Sequence, residues 1–448
     1  MTTPSLFGTS GIRGDAEKLF TNQFCFDIGR TFALFLDRHH QEGSVVVGMD
    51  PRGSSPRILE ALKLGLIAGR RAVVDQGATP VPALNWVLKV APYAGSIMVS
   101  GSHISANLNG FKLFAFKEEI LKQHEKEISK LYAEIKEKVK YGKEEPVIEA
   151  ENRANESYQE MLMKLADGPY PRWKMVVVDP GNGGQSDTMP QVLTRLGIAV
   201  KEINATIQGD FIARDTETEG VLNELQKFVK KEKADMGIAY DYDGDRVIFI
   251  DEKGDFIPGD YSGSLIAQHS NTPLTVTPIN TSQVVNHINK PVIRTRVGSP
   301  YVVETMKKHG ATFGFEANGG GISAEIMMSR DGGSSTIKML NLLKKHGGKL
   351  SSLVATLPRF YLYRVKVDCP RELNKVIIRE AKVKFKGVKI EEVDGLKLWL
   401  DSTTWLLFRP SSNAPEFRIF TEAESQKRAM ELGKEGMKFV NQIIKTKG

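Results

Sequence analysis

The amino-acid sequence predicts an α/β protein: three similar α/β domains followed by a smaller C-terminal α+β domain. Three observations carry this. The length of 448 residues suits about three domains, give or take one, at the usual size of roughly 100 to 200 residues each. Short apolar, β-branched runs alternate with helical ones through most of the chain, the pattern of parallel sheets covered by helices. From about Phe360 the order changes to strand, helix, several strands and a last helix from about Glu424 to Lys445.

The first unit reads as a strand in "GSVVVGMD", a helix through "SPRILEALKLGLIAGR", then strands in "RAVVDQG" and "AGSIMVS". The same beat returns as "KMVVVDPGNGG", "TMPQVLTRLGI", "AVKEI", and again as "VIRTRVGSP", "YVVETMKKHG", "ATFGFEANGG", without a residue-level repeat. Between the first two units, Lys117 to Lys140 reads as one amphipathic helix. Leu121, Ile128, Leu131, Ile135 and Val139 form its apolar stripe, and its charges form a solvated face. The polar "GKEEPVIEAENRAN" that follows reads as a linker.

Composition narrows the function. Apolar residues make up 41% and charged residues 26%, which disfavours disorder and fibrous folds. The formal charge of +7, from 61 basic against 54 acidic residues, is spread along the chain. No basic stripe with interleaved aromatics appears, so no nucleic-acid partner is expected. Cys25 and Cys369 are too far apart in sequence for a disulfide framework or a metal knuckle. The start "MTTPSLFGTSGIRG" lacks the apolar core of a signal peptide, and no apolar run approaches the roughly 20 residues of a membrane span. A cytoplasmic protein with no membrane partner is the expectation, and a homo-oligomer is left open.

Several stretches point to chemistry. In "VSGSHISANLNGFK", Ser102 stands beside His103 in a run of small polar residues, either as a nucleophile or as a turn residue. In "GIAYDYDGDRVIFID", Asp241, Asp243 and Asp245 alternate at the mouth of a strand, so a period of two aims all three carboxylates the same way. Three such carboxylates repel unless a cation neutralises them, and hard oxygen ligands suit Mg²⁺. An EF-hand is the competing reading, but position 6 holds Arg246 instead of glycine and a strand follows.

The glycines of "DPGNGGQSD" fail the dinucleotide fingerprint at Ser186 and read as a tight turn. "LLFRPSSNAPEFRIF" combines Arg409 and Arg418 with Ser411, Ser412 and Asn413, which suits either a phosphate clamp or a salt-bridged surface loop. "FGFEANGGGIS" puts Glu316 and Asn318 at a strand end, where they can bind sugar hydroxyls or simply form a turn.

Taken in order, "FGTSGIRG", "SGSH" with "NGFK", "DYDGDR", "TRVG", "FEANGG" and "RPSSNAPEFR" resemble the α-D-phosphohexomutases over essentially the whole chain, and "EANGG" resembles most closely their archaeal-type phosphomannomutase, phosphoglucomutase and phosphoglucosamine mutase branch. The resemblance implies four domains around a central cleft, divided at 1–145, 150–255, 256–358 and 359–448. It implies exchange of a phosphoryl group between the 1 and 6 positions of a hexose, through a phosphoserine and a bound hexose 1,6-bisphosphate. Ser102 falls on the phosphorylated serine and, with Asp241, Asp243 and Asp245, on the Mg²⁺ site. Arg13 and Arg246 would stabilise transferring charge, and Lys112 would act as general base or proton shuttle, which requires a lowered pKa. Glu316 and Asn318, with Thr295 and Gly298 beside them, would read the sugar ring. Arg409, Ser411, Asn413 and Arg418 would hold the distal phosphate.

The chain departs from the family pattern in three loops. "SGSHIS" stands for T-A-S-H-N-P, "SSNAP" for S-G-T-E-P, and Gly320 for a histidine of many bacterial members. His103 is expected to orient its loop more than to catalyse. Mannose and glucose phosphates are the expected substrates, and glucosamine phosphate is the runner-up. A metal-dependent sugar phosphatase and a non-catalytic sugar-phosphate sensor are the rival classes.

Overall fold

The computed structural model of the chain describes residues 6–8, 11–142, 149–150, 153–170, 175–207, 211–212, 214, 216, 219–411 and 415–447. In the first unit the parallel strands Val73–Ala78, Val45–Met49 and Gly95–Val99 lie side by side with Val45–Met49 in the middle, and Leu108–Ala115 adds on antiparallel. Val45, Val46 and Val47 are fully buried because helices cover both faces, which is why these strands read as unbroken apolar runs. The helices Asn22–Arg38 and Ser55–Ala68 pack closely, since a Cβ on Gly65 would overlap the Phe26 carbonyl.

The second unit is a five-stranded sheet. Val176–Asp179 and Met236–Tyr240 run parallel at its centre, and Val247–Ile250 is antiparallel to the latter. The third unit does not make a separate sheet. Its strand Met327–Asp331 pairs with Glu118–Glu119 of the first unit through Met328 and Glu118, so the two units share one twelve-stranded sheet. The C-terminal unit is antiparallel, as expected for α+β: Tyr361–Asp368, Glu416–Ala423, Trp405–Pro410, Leu396–Trp399 and Lys389–Glu391 in spatial order, with helices Asn374–Lys384 and Gln426–Lys447.

Two local expectations are corrected. The helix expected over Lys117–Lys140 spans only Lys122–Ile135. Phe116, Lys117 and Glu137 have φ of 57°, 60° and 58°, which a right-handed helix excludes, and Glu118–Glu119 is drawn into the shared sheet instead. The expected linker is partly folded: Glu149–Ala150 pairs with Val73–Ala78, and the helix Arg153–Leu165 starts inside it. Cys25 and Cys369 are free and buried. Among the described residues no helix is long and apolar enough to cross a membrane.

Lys397 ties the C-terminal sheet to the third unit. Fully buried, its Nζ donates to the Ile279 carbonyl at 3.1 Å and lies 3.9 Å from the centre of the Trp405 ring. Burial, foremost, and the Arg294 charge push it down to about 7, against the pull of Glu422. The unfolded lysine keeps its proton to far higher pH, so burying the charged form costs most below pH 7, and the cost fades as pH rises toward 10. Wild type is therefore expected to gain about 3 kcal/mol of stability relative to Lys397→Met between pH 7 and pH 10, at about 1.4 kcal/mol per pH unit over most of that range, measured by urea denaturation. Parallel pH profiles for the two proteins would refute this.

Candidate active site

Ser102 lies in the loop between Gly95–Val99 and Leu108–Ala115, fully buried and at φ 54°. The Arg52 guanidinium shapes that loop. Its Nη1 donates to the carbonyls of Ser105 and Leu108, both at 2.8 Å, its Nη2 to the Ser102 carbonyl, and its Nε to Asp50 Oδ2 at 2.9 Å. Asp50 Oδ2 also accepts the Gly101 amide at 3.1 Å. A Cβ at Gly101 would come within 2.6 Å of the guanidinium, so any side chain there would push Arg52 aside. This internal framework shapes the loop without the family's Asn-Pro. The Ser102 hydroxyl donates to Asp241 Oδ2 at 2.9 Å, across the boundary to the second unit, and His103 Nδ1 is 3.3 Å from it. The Arg246 charge, then burial, hold His103 well below the ordinary imidazole range, so the ring is neutral beside the hydroxyl.

Asp241, Asp243 and Asp245 are buried, each with an oxygen within 4.8 Å of the others. Their convergence comes from a turn and not from strand alternation: Met236–Tyr240 has ended, and Gly244, at φ 73°, donates its amide to the Asp241 carbonyl at 2.9 Å. Neighbouring loops hold this turn through its backbone. The Gly184 amide donates to the Tyr242 carbonyl and the Val81 amide to that of Asp243, both at 2.9 Å, and Gln185 Nε2 donates to that of Gly244 at 3.0 Å. The glycine-rich "DPGNGGQSD" is thus a support for the acidic turn.

The donor set fits a hard divalent cation. Asp243 Oδ1 and Asp245 Oδ1 are buried without a hydrogen-bond partner, and an unpaired buried carboxylate oxygen is costly unless a cation faces it. The opposite oxygens are already taken. Lys112 Nζ lies 2.5 Å from Asp243 Oδ2 and 2.6 Å from Asp245 Oδ2. Burial, foremost, with its two neighbouring carboxylates pushes Asp241 up to about 7, whereas Asp245 is held below the usual range because Arg330, Lys112 and Arg246 outweigh its burial. Since cation binding needs Asp241 deprotonated, Mn²⁺ affinity, read by electron paramagnetic resonance, is expected to fall about tenfold per pH unit below 7 and to level off above it. A flat profile from pH 5.5 to 8 would contradict this.

The sugar-reading candidates lie against this turn. Glu316 is buried and accepts the Gly298 amide on Oε1 at 3.1 Å. Gly298 has φ 133°, and the Thr295 hydroxyl donates to the Arg296 carbonyl. Asn318 Oδ1 is buried without a hydrogen-bond partner. Gly320, at φ 78°, packs so closely on the acidic turn that a Cβ would overlap the Asp245 carbonyl oxygen, so a histidine does not fit this geometry.

Arg409 and Arg418 are cross-strand partners on adjacent strands, which puts both side chains on one face. Each has a carboxylate: Arg409 Nε donates to Asp394 Oδ2 at 2.7 Å, and Arg418 Nε to Glu416 Oε1 at 2.9 Å. Asp394 Oδ2 also accepts the Val297 amide at 3.0 Å, which joins this arginine pair to the Thr295–Gly298 loop. Ser411 is buried at the end of this strand pair, its amide donating to the Glu416 carbonyl at 2.9 Å, and Asn413 lies outside the described residues. A separate cavity of about 620 Å³, lined by Arg294, Lys389 and Trp399 among others, contains none of these groups.

Three family profiles match the chain, described as phosphoglucomutase/phosphomannomutase alpha/beta/alpha domain I over residues 4–139, domain II over 156–254 and domain III over 258–361. A phosphoglucomutase/phosphomannomutase of Thermococcus kodakarensis is 35% identical over 464 aligned positions, covering 98% of this chain and 99% of the relative. The chain belongs to the phosphoglucomutase/phosphomannomutase family. It is a phosphohexomutase of the α-D-phosphohexomutase family. A probable phosphoglucosamine mutase of Methanopyrus kandleri is 31% identical over 98% of both chains. The crystal structure of a family protein from Burkholderia thailandensis shares the fold, with a TM-score of 0.84 over 100% of this chain and 99% of that one, at 22% identity.

For this phosphohexomutase the structure brings Ser102, His103, Lys112, the three aspartates and Arg246 into one cluster, with Arg246 Nε 3.6 Å from Asp241 Oδ2. Arg13 lies within the field of Arg246 and Asp243. The expectation that Lys112 has a lowered pKa is corrected: burial lowers it, but Asp243 and Asp245 together outweigh that and leave it raised. Two residues escaped the sequence reading. Arg52 builds the serine loop, and Arg330 joins Asp245 to Glu316. The signal for Arg330 was a charged Arg-Asp pair at the end of the apolar strand "IMMSRD".

Proposed function

We propose that this phosphohexomutase interconverts hexose 6-phosphate and hexose 1-phosphate, with mannose and glucose phosphates as substrates, through phosphorylated Ser102 and a bound hexose 1,6-bisphosphate. The observation that carries the reading is the Ser102 hydroxyl 2.9 Å from a carboxylate of a buried aspartate triad contributed by another unit. The reading includes the four-domain division given above, a cytoplasmic site of action and Mg²⁺ as the cation. Asp241, Asp243 and Asp245 would hold it with an oxygen of the Ser102 phosphate, where it supplies charge neutralisation for the transferring phosphoryl group.

In the first half-reaction the bond from Ser102 Oγ to phosphorus breaks and a bond forms from the free sugar hydroxyl to the same phosphorus. The hydroxyl loses its proton and Ser102 Oγ regains one. Lys112, held protonated by Asp243 and Asp245, gives its proton to Ser102 Oγ as that bond breaks, and the neutral amine then takes the proton lost by the sugar hydroxyl, so that Lys112 ends the half-reaction protonated. Arg13 and Arg246 stabilise the charge on the transferring group. Neutral His103 orients the hydroxyl. After the bisphosphate turns over, the second half-reaction returns its other phosphate to Ser102.

Glu316 and Asn318, with Thr295 and Gly298, read ring hydroxyls present in both orientations, and Asn318 Oδ1 has a lone pair free for one. Arg409, Ser411, Asn413 and Arg418 hold the distal phosphate, which displaces Asp394 and Glu416 from the guanidiniums. Glucosamine phosphate is the second reading, supported by the name of the Methanopyrus relative.

The test is peptide mass mapping of the protein after incubation with glucose 1,6-bisphosphate and Mg²⁺. One phosphoryl group on the Ser102 peptide, lost on adding mannose 6-phosphate as the 1-phosphate forms, supports the reading. Free inorganic phosphate without isomerisation favours a phosphatase. Binding with an unmodified Ser102 and no turnover favours a sensor.

A further inference from the structure

Arg330 is placed to do something that none of the assigned groups does. It sits on Met327–Asp331, paired with Ile322 of the strand that follows the sugar-reading loop, and is 5% exposed. Its two terminal nitrogens go to different loops: Nη2 to Asp245 Oδ2 at 2.9 Å, Nη1 to Glu316 Oε2 at 3.2 Å. A guanidinium is a rigid planar fork, so the two carboxylates are held at a set separation. On Asp245 this contact, with that of Lys112, occupies Oδ2 and leaves Oδ1 buried without a hydrogen bond, with Arg246 Nε 3.9 Å away. On Glu316 it completes a rotamer whose other oxygen is anchored by the Gly298 amide.

We propose that Arg330 is a positioning residue that couples cation binding at the aspartate triad to sugar binding at Glu316. The inference rests on the mutase reading of those two loops. The logic is charge sharing. A cation at Asp245 Oδ1 draws charge from that carboxylate and weakens its hold on Arg330 through Oδ2 without moving it, and the guanidinium then bears more firmly on Glu316 and orders it for hydroxyls. By linkage, a sugar on Glu316 must tighten the cation by the same factor. Lysine keeps the charge but not the fork, so Arg330→Lys should retain both sites and lose their coupling.

The experiment is titration of mannose 6-phosphate by calorimetry with and without Mn²⁺, in wild type and Arg330→Lys. Mn²⁺ should tighten the sugar phosphate about fivefold or more in wild type, the low end of ordinary coupling, and less than about twofold in the variant. The variant's KM should then stop responding to the cation, while its kcat falls less than in any triad variant. A fivefold effect persisting in a folded Arg330→Lys overturns the proposal, because direct contact between cation and phosphate would then explain it.

A second arm needs no sugar. In Glu316→Gln, Arg330 is left with less compensating charge and competes harder for Asp245, so Mn²⁺ affinity should drop about threefold although Glu316 lies outside the triad. Unchanged Mn²⁺ affinity there also overturns the proposal. If wild type binds no hexose phosphate, the mutase reading fails, and this arm still decides the role of Arg330.

Discussion

Replacing Ser102 with alanine removes phosphohexomutase turnover, by about 10⁴-fold or more, while hexose phosphate affinity stays within about threefold. The size follows from the proposed role, in which the Ser102 hydroxyl carries the phosphoryl group between half-reactions, whereas the other hydroxyl against the triad, that of Ser100, is spent on Asp243 Oδ2 and on the Ser102 amide. A loss of 10⁴ corresponds to roughly 5.5 kcal/mol of transition-state stabilisation. The fold should tolerate the change. Ser102 donates one hydrogen bond from its side chain to Asp241, and its backbone contacts to Ser100 and Arg52 do not involve the hydroxyl. Losing that bond to a carboxylate should cost about 1–3 kcal/mol at most, and Asp241, already raised to about 7, can take up a proton in compensation. The checks are a coupled isomerase assay, calorimetric binding of mannose 6-phosphate and a thermal melt. Residual activity above about 1% of wild type would remove Ser102 from the mechanism.

Asp243→Asn is expected to have the second largest effect: Mn²⁺ affinity lower by at least about tenfold and turnover lower by about 10² to 10³. Asp243 Oδ2 accepts Ser100 Oγ at 2.9 Å and faces Lys112 at 2.5 Å, whereas Oδ1 has no hydrogen-bond partner and is free for the cation. The amide can accept through one atom only, so either the cation or the framework loses its oxygen. Lys112 is also left with one fewer anion, and burial then pulls its pKa down. Cation titration by paramagnetic resonance and steady-state kinetics across Mg²⁺ concentrations would check this. Activity rescued fully at saturating Mg²⁺ would show that Asp243 only sets affinity, and unchanged Mn²⁺ binding would place the metal elsewhere.

The elements legible in the sequence were those whose signals are local. The apolar runs at Val45–Met49 and Val176–Asp179 announce buried parallel strands because each residue needs only its neighbours to declare the pattern. The density of acids at Asp241, Asp243 and Asp245 announces a cation for the same reason, although strand periodicity was the wrong cause of their convergence. The shared sheet was not legible, because it depends on two residues, Glu118 and Glu119, leaving a helical pattern once positive φ at Phe116 and Lys117 redirects the chain.

The site divides in the same way. The sequence by itself determined the groups available: a serine hydroxyl, three closely spaced aspartates, a glutamate and asparagine at a strand end, and two arginines flanking one loop. Only the tertiary structure decided which of these act on one another. Ser102 meets Asp241 across 139 residues, Asp245 meets Arg330 across 85, and the Val297 amide meets Asp394 across 97. Such pairings leave no periodic trace, because they are set by how closely packed loops place a few buried polar atoms, and there a shift of about one ångström separates a hydrogen bond from an unpaired charge.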